Sequence, residues 1–392
     1  MRSNTGTLHQ NNWKYLAVSE FADVVTGGTP RTSIKEFWEN GNIPWLPSGN
    51  LKFNKIDSAN KFITDLGLEK SSAKLMPINT VVIAMTGATL GRVGVLGIEA
   101  SANQSVTGIL PNDTTEPKFL FYFLWSSYHK IISEAGGSAQ PGINQKYVKN
   151  LPIPIPPLQE QKRIVAKIDT LFAKIDKAIN LTEESLKQAE NLLPSILKEV
   201  FEKGKADGWE EKRLEEVASY DKSKYKGHNR PYVGLEHIES NTSIFLGNKE
   251  PLNVKSSTFM FDKRHVLYGR LRPYLNKVLV PDFNGHCSTE IFPILTNGKL
   301  IRRYLAYWLM SPVTNAKIDA TWTGARMPRA NMNEVIKFKL PMPTKETQKS
   351  IVDLFDDFSN QSKQTQSKLE EQLAYLKQLK SSILSKAFKG EL

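Results

Sequence analysis

The chain of 392 residues contains one cysteine and no long apolar run. A single cysteine, Cys287, excludes an internal disulfide framework and is typical of a reducing compartment. The most apolar stretch, at 81–85, is far shorter than the ~20 residues that cross a bilayer. Residues 1–13 contain no apolar stretch typical of a secretory signal. We therefore expect a soluble cytoplasmic protein without a membrane partner.

Motifs for catalysis on nucleic acid are also missing. The only Pro-Pro pair, at 156–157, lies in the sequence IPPL, so no Asn/Asp-Pro-Pro-aromatic motif occurs. Segment 86–92 contains two glycines but lacks the clustered pattern of a loop that binds S-adenosylmethionine, and there is no P-loop lysine motif. The six histidines and the cysteine do not have metal-ligand spacing. These absences predict a protein with no metal or cofactor of its own.

One nuclease-like group is formed by Asp113, Glu116 and Lys118. Its two acids lie very close together in sequence and within a turn, which does not favour a catalytic pair. A stand-alone nuclease is thus an alternative interpretation, and we assign no catalytic residues. The sequence favours a protein that reads nucleic acid without cutting or modifying it.

What the chain has in excess is positive charge, with 52 lysines and arginines against 40 acidic residues and a formal net charge of +12. Such a balance favours a polyanionic partner, and nucleic acid is the usual one. Charge alone does not decide the matter, because many basic proteins bind no polyanion. The alternative is a coiled-coil scaffold whose globular ends bind other proteins, and it predicts no binding of duplex DNA.

The sequence also repeats itself. Residues 150–201 match residues 337–388 without an insertion, so that Val165 pairs with Val352, 187 residues later. Fainter matches precede this element: NIPWL at 42–46 with NRPYVGL at 229–235, FLFYFLWS at 119–126 with YLAYWLMS at 304–311, QPGIN at 140–144 with MPRAN at 327–331, and Trp13 with Trp209. The chain is therefore predicted to consist of two half-molecules, each a variable globular segment followed by a matched helical segment.

Each matched segment predicts a long helix after a proline-rich extended lead, at 152–157 and 340–343. Apolar residues then recur at steps of three and four, which is the pattern of a coiled-coil seam. The predicted seam consists of Ile164, Ile168, Leu171, Ile175, Leu186, Ile196, Ile351, Phe355, Phe358, Leu369, Leu373, Leu376 and Ile383. Ser362 and Gln366 interrupt the second seam, which predicts a loose coil at that point.

A helix of about 45 residues would be roughly 65–70 Å long at about 1.5 Å per residue. Two such helices in one chain can pack against each other, and the short globular returns favour an antiparallel pair with a pseudo-twofold axis. The alternative is that each helix packs on its own domain. A paired spacer of fixed length would hold two DNA-reading domains at a fixed distance.

The remaining segments have mixed patterns that predict compact α+β domains. Strand-like runs occur at 80–85, 92–98, 266–271 and 277–283, and helical patterns at 117–134 and 299–317. We divide the chain into a domain at 1–150, a helical region at 151–208, a domain at 209–337 and a helical region at 338–392. The expected fold class is α+β, with two globular domains joined by a long antiparallel two-helix coiled coil and a pseudo-twofold internal repeat.

Several loops combine small, basic and amide side chains suited to contact with DNA. Arginine pairs with guanine, asparagine and glutamine pair with adenine, and lysine mostly contacts phosphate. In the first domain the candidates are Gly27, Gly28, Thr29, Arg31, Ser48, Gly49, Asn50, Thr86, Thr89 and Arg92. In the second domain they are Lys222, Lys224, Tyr225, Lys226, Arg230, His237, Arg270 and Arg272. An ordinary surface turn is the alternative for any single loop. Because these loops differ more between the halves than the helices do, the halves are predicted to read different sequences.

The repeat, the loops and the helical segments together resemble the specificity subunit of type I DNA restriction-modification systems. The resemblance is carried by the GGTP loop after the Trp13 segment, IPWLPSGNL at 43–51, the block at 151–165 with its second copy at 340–352, and SILSKAFKGEL at 382–392. It covers essentially the whole chain. The second domain lacks a clear counterpart of the GGTP loop.

The resemblance implies two target-recognition domains, each reading half of a split, asymmetric site in double-stranded DNA. It implies that two adenine-N6 methyltransferase subunits and two restriction-translocase subunits are the protein partners. S-adenosylmethionine, ATP and Mg are then expected on those partners and not on this chain. The resemblance therefore implies a non-catalytic DNA-recognition subunit.

Overall fold

The computed structural model describes residues 13–136, 141–227, 229–322 and 327–392. The first twelve residues, which form most of the segment inspected for a secretory signal, lie outside the described residues. The chain divides into two compact units: the first runs up to Asn180 and includes Ala374–Leu392, and the second is Leu181–Leu373. Both boundaries fall within long helices, so our division of the chain into domains and helical regions stays a prediction.

The first unit has two main sheets. Its strands are, in chain order, β1 (Lys14–Ala17), β2 (Val24–Thr26), β3 (Ile43–Leu46), β4 (Asn54–Ile56), β5 (Phe62–Ile63), β6 (Val81–Ala84), β7 (Val93–Leu96), β8 (Ser101–Ala102), β9 (Val106–Ile109) and β10 (Pro152–Ile155). Its helices are α1 (Asp65–Glu69), α2 (Pro117–Ser126), α3 (Tyr128–Ser133), α4 (Gln145–Lys149) and the first part of α5 (Leu158–Ala206). The larger sheet has the order β2-β9-β6-β7-β4, and the smaller has the order β5-β3-β8.

The second unit repeats this plan. Its strands are β11 (Glu211–Arg213), β12 (Ala218–Tyr220), β13 (Tyr232–Val233), β14 (Thr258–Phe261), β15 (His265–Gly269), β16 (Val278–Leu279), β17 (Gly285–Ser288), β18 (Ile291–Thr296) and β19 (Lys339–Pro341). Its helices are α6 (Leu214–Val217), α7 (Arg302–Met310), α8 (Pro312–Asp319), α9 (Met332–Val335) and part of α10 (Lys345–Lys389). The sheets have the orders β12-β18-β15-β16 and β13-β17-β14.

The two larger sheets share one arrangement of four strands, because β2-β9-β6-β7 corresponds to β12-β18-β15-β16. The buried, β-branched run of β6 explains why this strand is central: Val81, Val82 and Ile83 fill both faces of the sheet. The smaller sheets also correspond in one pairing. Trp45 lies opposite Ser101 in the parallel pair β3–β8, and Tyr232 lies opposite His286 in the parallel pair β13–β17. The faint match between NIPWL and NRPYVGL therefore marks equivalent strands.

The proline-rich leads are extended, as predicted, and each closes its unit. β10 pairs antiparallel with β1, and β19 pairs antiparallel with β11. Proline is tolerated there because these two-stranded ribbons leave one edge of the strand without a ladder partner. The start and the end of each globular segment are thereby held together.

Each predicted helix before the long helices is in fact two helices. The 117–134 pattern is broken at Ser127, which separates α2 from α3. The 299–317 pattern is broken at Ser311, whose φ of −61° and ψ of 141° are extended. Pro312 follows Ser311, and a residue before proline is restricted to extended conformations. Two short helices therefore pack on each sheet where one longer helix was expected.

The predicted fold class is confirmed: the chain is α+β, with two globular domains and two long helices that pair antiparallel. In the first unit the start of α5 and the end of α10 pack with the aromatic face of α2, where Phe119 and Phe388 lie 5.3 Å apart. In the second unit the end of α5 and the start of α10 pack with α7, where Phe201 and Tyr304 lie 5.5 Å apart. The alternative, in which each helix packs on its own domain, holds only in part. The start of α5 packs with α2 of the first unit, but its end packs with α7 of the second.

All the predicted seam residues are buried or half-buried. The most enclosed are Ile168 and Phe355, which are both fully buried. The expectation of a loose coil at the polar interruption is not met. Ser362 is buried and donates to the Ala189 carbonyl oxygen at 2.7 Å, and Gln366 donates to Ser362 Oγ at 3.1 Å. Polar side chains therefore pair the two helices at this position, because a buried hydroxyl needs a partner.

A buried glutamine joins each long helix to its globular segment. Gln161 accepts from Glu116 N at 2.8 Å and donates to the carbonyl oxygens of Thr114 and Pro156 at 3.0 and 2.9 Å. In the second unit the equivalent residue is Gln348. It accepts from the backbone of Ile301 at 3.0 Å and donates to the carbonyls of Lys299 and Pro343, both at 3.1 Å. Both glutamine side chains are essentially fully buried, so the three backbone groups that each one binds take the place of water as its hydrogen-bond partners.

An aspartate makes a second repeated contact about two helical turns after each glutamine. Asp169 of α5 accepts from Lys118 Nζ at 2.8 Å and from Tyr122 Oη at 2.6 Å. The equivalent side chains of α7 contact Asp356 of α10, namely Arg303 and Tyr307. Lys118, which belongs to the nuclease-like group, is thus part of this structural contact.

Candidate nucleic-acid interface

The turn between β8 and β9, residues 103–105, lies where the predicted DNA-contacting loops of the first unit meet. Gly28 N donates to the Ala102 carbonyl oxygen at 2.8 Å, directly before this turn. Asn103 N donates to the Leu46 carbonyl oxygen at 3.0 Å. The GGTP loop and the loop that follows β3 are therefore both fixed to the β8–β9 turn.

The same turn holds the third loop, residues 86–92. Met85 N donates to the Ser105 carbonyl oxygen at 2.7 Å, and the hydroxyl oxygens of Thr86 and Ser105 are 2.9 Å apart. Thr86 is exposed. Three loops that are distant in sequence thus form one surface around the β8–β9 turn.

The turn itself contributes polar side chains that were not among the sequence candidates. Gln104 is exposed, and its Oε1 accepts from Thr29 Oγ1 at 2.5 Å. Asn103 and Ser105 are half-buried beside it. Amide side chains are suited to adenine, so these residues belong with the candidates. The available sequence signal was the run Asn-Gln-Ser between two short apolar strands.

Gly27 and Gly28 are buried, and the protein itself occupies the space beside them. A Cβ atom at Gly27 would lie 2.3 Å from the Ala102 carbonyl oxygen, and one at Gly28 would lie 2.4 Å from the backbone of Ser72. Trp45 Nε1 donates to the Gly28 carbonyl oxygen at 2.9 Å. These contacts favour a structural role for both glycines, while their contact with DNA stays a prediction.

The other candidates of the first unit have different exposures. Arg31, Gly49 and Thr86 are exposed, whereas Thr29, Ser48, Asn50, Thr89 and Arg92 are half-buried. No atom lies within 4 Å of the place where a Cβ of Gly49 would be. At Gly87, a φ of 72° allows the tight turn between β6 and β7. The exposed members are the ones that a duplex could contact without rearrangement.

The turn between β17 and β18, residues 289–290, has the same place in the second unit. Arg270 N donates to the Glu290 carbonyl oxygen at 2.9 Å. This bond corresponds to the one from Met85 N to the Ser105 carbonyl oxygen at 2.7 Å. The backbone surroundings of the two turns are therefore alike, although their side chains differ in charge.

A second backbone hydrogen bond extends the correspondence. Ala330 N donates to the Arg270 carbonyl oxygen at 2.8 Å, and Ile143 N donates to the Met85 carbonyl oxygen at 2.9 Å. The faint match between QPGIN and MPRAN thus marks segments with the same contact. We call this pair of hydrogen bonds the repeated frame.

Two candidate cations of the second unit lie over one aromatic ring. Lys222 Nζ is 5.0 Å from the centre of the Phe292 ring, and the Arg270 guanidinium carbon is 5.3 Å from it. Phe292 is buried. A ring face attracts cations, so Phe292 brings the 220–232 loop and the Arg270 loop together.

A second aromatic group holds Tyr225 and Arg230. The rings of Tyr225 and His286 are stacked 4.5 Å apart, and the Arg230 guanidinium is 5.9 Å from the centre of the Tyr225 ring. Burial lowers the pKa of His286 below its ordinary value, which favours a neutral ring in this stack. Lys224 and Lys226 are exposed on either side of Tyr225. The stack therefore fixes the Tyr225 ring, while Lys224 and Lys226 are exposed to solvent.

His237 and Arg272 differ from the other candidates. Nδ1 of His237 accepts from Gly234 N at 3.1 Å, and its ring lies against Tyr232 and Phe245. These contacts favour a structural role for the histidine. Arg272 is exposed and has a φ of 51°, in the left-handed region that non-glycine residues rarely adopt.

The described part of the chain contains no group of three or more His, Cys, Asp or Glu residues arranged to hold a metal ion. No helix in the same ranges is long and apolar enough to cross a membrane. In the first unit polar loops contact the 103–105 turn, and in the second the Arg270 loop and Arg329 contact the 289–290 turn.

The profile of the type I restriction modification DNA specificity domain matches this chain twice, at residues 10–188 and at residues 206–375. The chain belongs to this family. The two matches correspond to the two halves that the internal repeat predicts. Membership makes the chain a DNA-recognition subunit and not a catalytic one, as its sequence resemblance implied.

Two curated relatives illustrate the range of similarity. The chain is 32% identical over 180 residues to the type I restriction enzyme EcoR124I/EcoR124II specificity subunit of Escherichia coli, which covers 44% of this chain and 43% of that protein. It is 22% identical over 427 residues to the MjaIX specificity subunit of Methanocaldococcus jannaschii, which covers 97% and 94%. The chain thus spans less than half of the first relative and nearly all of the second.

One solved structure has the same fold over the whole length. It is a chain from a study titled "Structural basis underlying complex assembly and conformational transition of the type I R-M system". The TM-score is 0.77 at 22% identity, with coverage of 97% of this chain and 98% of that one. This likeness supports the α+β fold with two long helices.

Proposed function

We propose that this specificity subunit reads a split, asymmetric site in double-stranded DNA, with one half of the site read by each domain. The observation that carries the proposal is the repeated frame. The same backbone hydrogen bonds hold the loops in both units, but the side chains attached to them differ. Two domains with the same loop positions but different loop side chains fit a DNA site whose two halves differ in sequence.

The proposed partners are two adenine-N6 methyltransferase subunits and two restriction-translocase subunits. On this proposal S-adenosylmethionine, ATP and Mg bind to those subunits, which supply the catalysis. The similarity to type I restriction enzyme specificity subunits supports a restriction complex. Action on chromosomal DNA and a single cysteine support a cytoplasmic location.

The two long helices are proposed to set the gap between the half-sites. Their support is the repeat of 187 residues, which is kept without insertion along both helices. Insertion of the same small number of residues into α5 and α10 should change the gap and leave each half-site readable. An unchanged gap would contradict the spacer role.

The exposed cations are the proposed phosphate and base contacts of the two domains: Arg31, Lys222, Lys224, Lys226 and Arg272. Phosphate contacts release counterions, so affinity should fall steeply as salt rises. Uncharged loop residues such as Gln104 and Thr86 are proposed to contribute base contacts. The remaining sequence candidates other than Arg270 are proposed to shape these loops.

The test uses the full chain co-purified with its methyltransferase partner and a pool of duplexes randomised over 30 base pairs or so. The expected result is enrichment of one motif in two specified parts, with binding that weakens by at least tenfold between low and physiological salt. Binding that is independent of salt and enriches no motif would contradict the proposal. It would favour the protein-binding scaffold.

A further inference from the structure

The second unit has a cluster of three charged side chains on the repeated frame. Glu290 Oε2 accepts from Arg270 Nε at 3.0 Å. Arg329 donates to the same carboxylate through Nε, at 3.0 and 3.1 Å, and through Nη2, at 2.9 Å. One carboxylate therefore holds two arginines, and the cluster has a net charge of +1.

The two arginines are held differently. Arg329 directs Nε and Nη2 at Glu290, and its Nη1 donates to the Met327 carbonyl oxygen at 3.3 Å. Arg270 uses only Nε, and within the described residues no partner contacts its two terminal nitrogens. Arg329 is thus an anchor for the carboxylate, whereas Arg270 keeps a free two-nitrogen fork.

The position of Arg270 is fixed from several directions. Its backbone makes both hydrogen bonds of the repeated frame, to Glu290 and Ala330. Its guanidinium is 5.3 Å from the centre of the Phe292 ring, and its side chain is 31% exposed. A planar fork that is already held in place loses little conformational entropy on binding.

Glu290 remains ionised in this setting. Burial alone would raise its pKa, but hydrogen bonds from Arg329 and the charge of Arg270 lower the pKa below its ordinary value. A lowered pKa in the folded chain means that the ion pairs persist at mildly acidic pH and are lost only as pH falls through the lowered value. The carboxylate thus holds both arginines throughout the neutral range.

The equivalent positions of the first unit are uncharged. Met85, Ser105 and Gly142 stand there in place of the three charged residues. The cluster is therefore not required by the frame, because the same backbone hydrogen bonds form without it. It is a difference between the two units at the frame that holds the Arg270 loop in the second and the 86–92 loop in the first.

We propose that Arg270 reads a guanine in the half-site of the second domain through its free fork, and that Glu290 and Arg329 position it. An arginine fork matches the O6 and N7 acceptors of guanine in the major groove. The inference rests on the proposed function and adds a specificity-determining residue with two positioning residues. Neither Glu290 nor Arg329 was a candidate from sequence.

The test repeats the duplex enrichment with the complex that contains Arg270→Lys or Glu290→Gln. Lysine keeps the charge but lacks the fork, and glutamine keeps the shape but does not neutralise the arginines. Both variants should lose preference for the same single guanine by roughly 10- to 100-fold, which is the range of one bidentate contact. The other half of the motif should stay unchanged. Glu290→Gln should also bind unrelated duplex at least as tightly, since one negative charge is removed.

Asp282→Asn is the matched control, because Asp282 forms an exposed ion pair with Lys249 in the same unit. It removes one negative charge and should leave the motif unchanged. Melting curves of all variants identify any that fail to fold, and Arg329→Lys then replaces Glu290→Gln. Wild-type enrichment with no change in any folded cluster variant would overturn this inference alone. Failure of the wild type to enrich a motif would instead overturn the proposed function.

Discussion

The two globular units share a frame and differ in what they attach to it. In the first unit the frame holds Met85 and Ser105, which are uncharged, and in the second it holds Arg270 and Glu290 at the equivalent positions. Backbone hydrogen bonds do not depend on side-chain identity, so such loops can change their chemistry without losing their position. The repeated contacts therefore maintain the fold, whereas the side chains that differ between the units can determine which DNA sequence each unit binds.

Other repeated contacts lie where the long helices meet the globular segments. Gln161 and Gln348 are both buried and make the same set of three hydrogen bonds. Asp169 and Asp356 each accept from one basic and one phenolic side chain. If the comparison is right, changes at repeated positions should have matched effects, and changes at unrepeated positions should affect one unit only.

The largest expected effect is at the buried glutamines. Gln161→Ala and Gln348→Ala should each lower the free energy of unfolding by about 3 kcal/mol, because three backbone groups lose their side-chain partner and the buried amide leaves a cavity. Urea unfolding of the full chain measures this. Gln188→Ala, at an exposed position of the same helix as Gln161, is the control and should have little effect. A large loss in only one of the two variants would break the equivalence of the joints.

A smaller effect is expected at the GGTP loop, which the second unit lacks. Gly27→Ala should cost about 2 kcal/mol, since its Cβ would meet the Ala102 carbonyl oxygen. Gly49→Ala should change stability by less than about 0.5 kcal/mol, because the space beside Gly49 is open. Thermal melting distinguishes the two. Tolerance of alanine at Gly27 would leave contact with DNA as the main reason for this glycine.

The smallest effect is expected at the repeated aspartates. Asp169→Asn and Asp356→Asn should each lower stability by about 1 kcal/mol, a modest value because these ion pairs are partly exposed to solvent. Asp353→Asn, an exposed position on α10, serves as the control for charge. Urea unfolding at low and high salt should show the loss shrinking with salt screening for both aspartates. A loss of stability in only one of the two variants would show that only that aspartate stabilises the fold.

Much of the fold could be predicted because its signals are local. The run at 80–85 is β-branched and apolar, and it forms β6; the three- and four-residue spacing after each proline-rich lead forms α5 and α10. The helix breaks at Ser127 and Ser311 were missed, since the apolar pattern continues across both. Pro312 offered a local signal for the second break.

The candidate interface could be predicted only in part, because it depends on contacts between distant segments. The loops themselves were recognised from glycine, threonine and basic residues. The turns that gather them, at 103–105 and 289–290, make bonds to residues up to 75 positions away, and Thr29 with Gln104 is one such pair. No local pattern in Glu290 or Arg329 indicates that they meet. At Gly27 and Gly28 the sequence pattern was recognised but points to DNA contact, whereas the structure places the protein's own backbone beside both glycines.

The most direct test of the two-reader account is a genome-wide map of adenine-N6 methylation. It would be recorded in a strain without other adenine methylation that expresses this chain with its methyltransferase partner. The account predicts one asymmetric motif with two specified parts separated by unspecified bases, and no such motif without this chain. A single uninterrupted motif, or the same methylation in its absence, would contradict it.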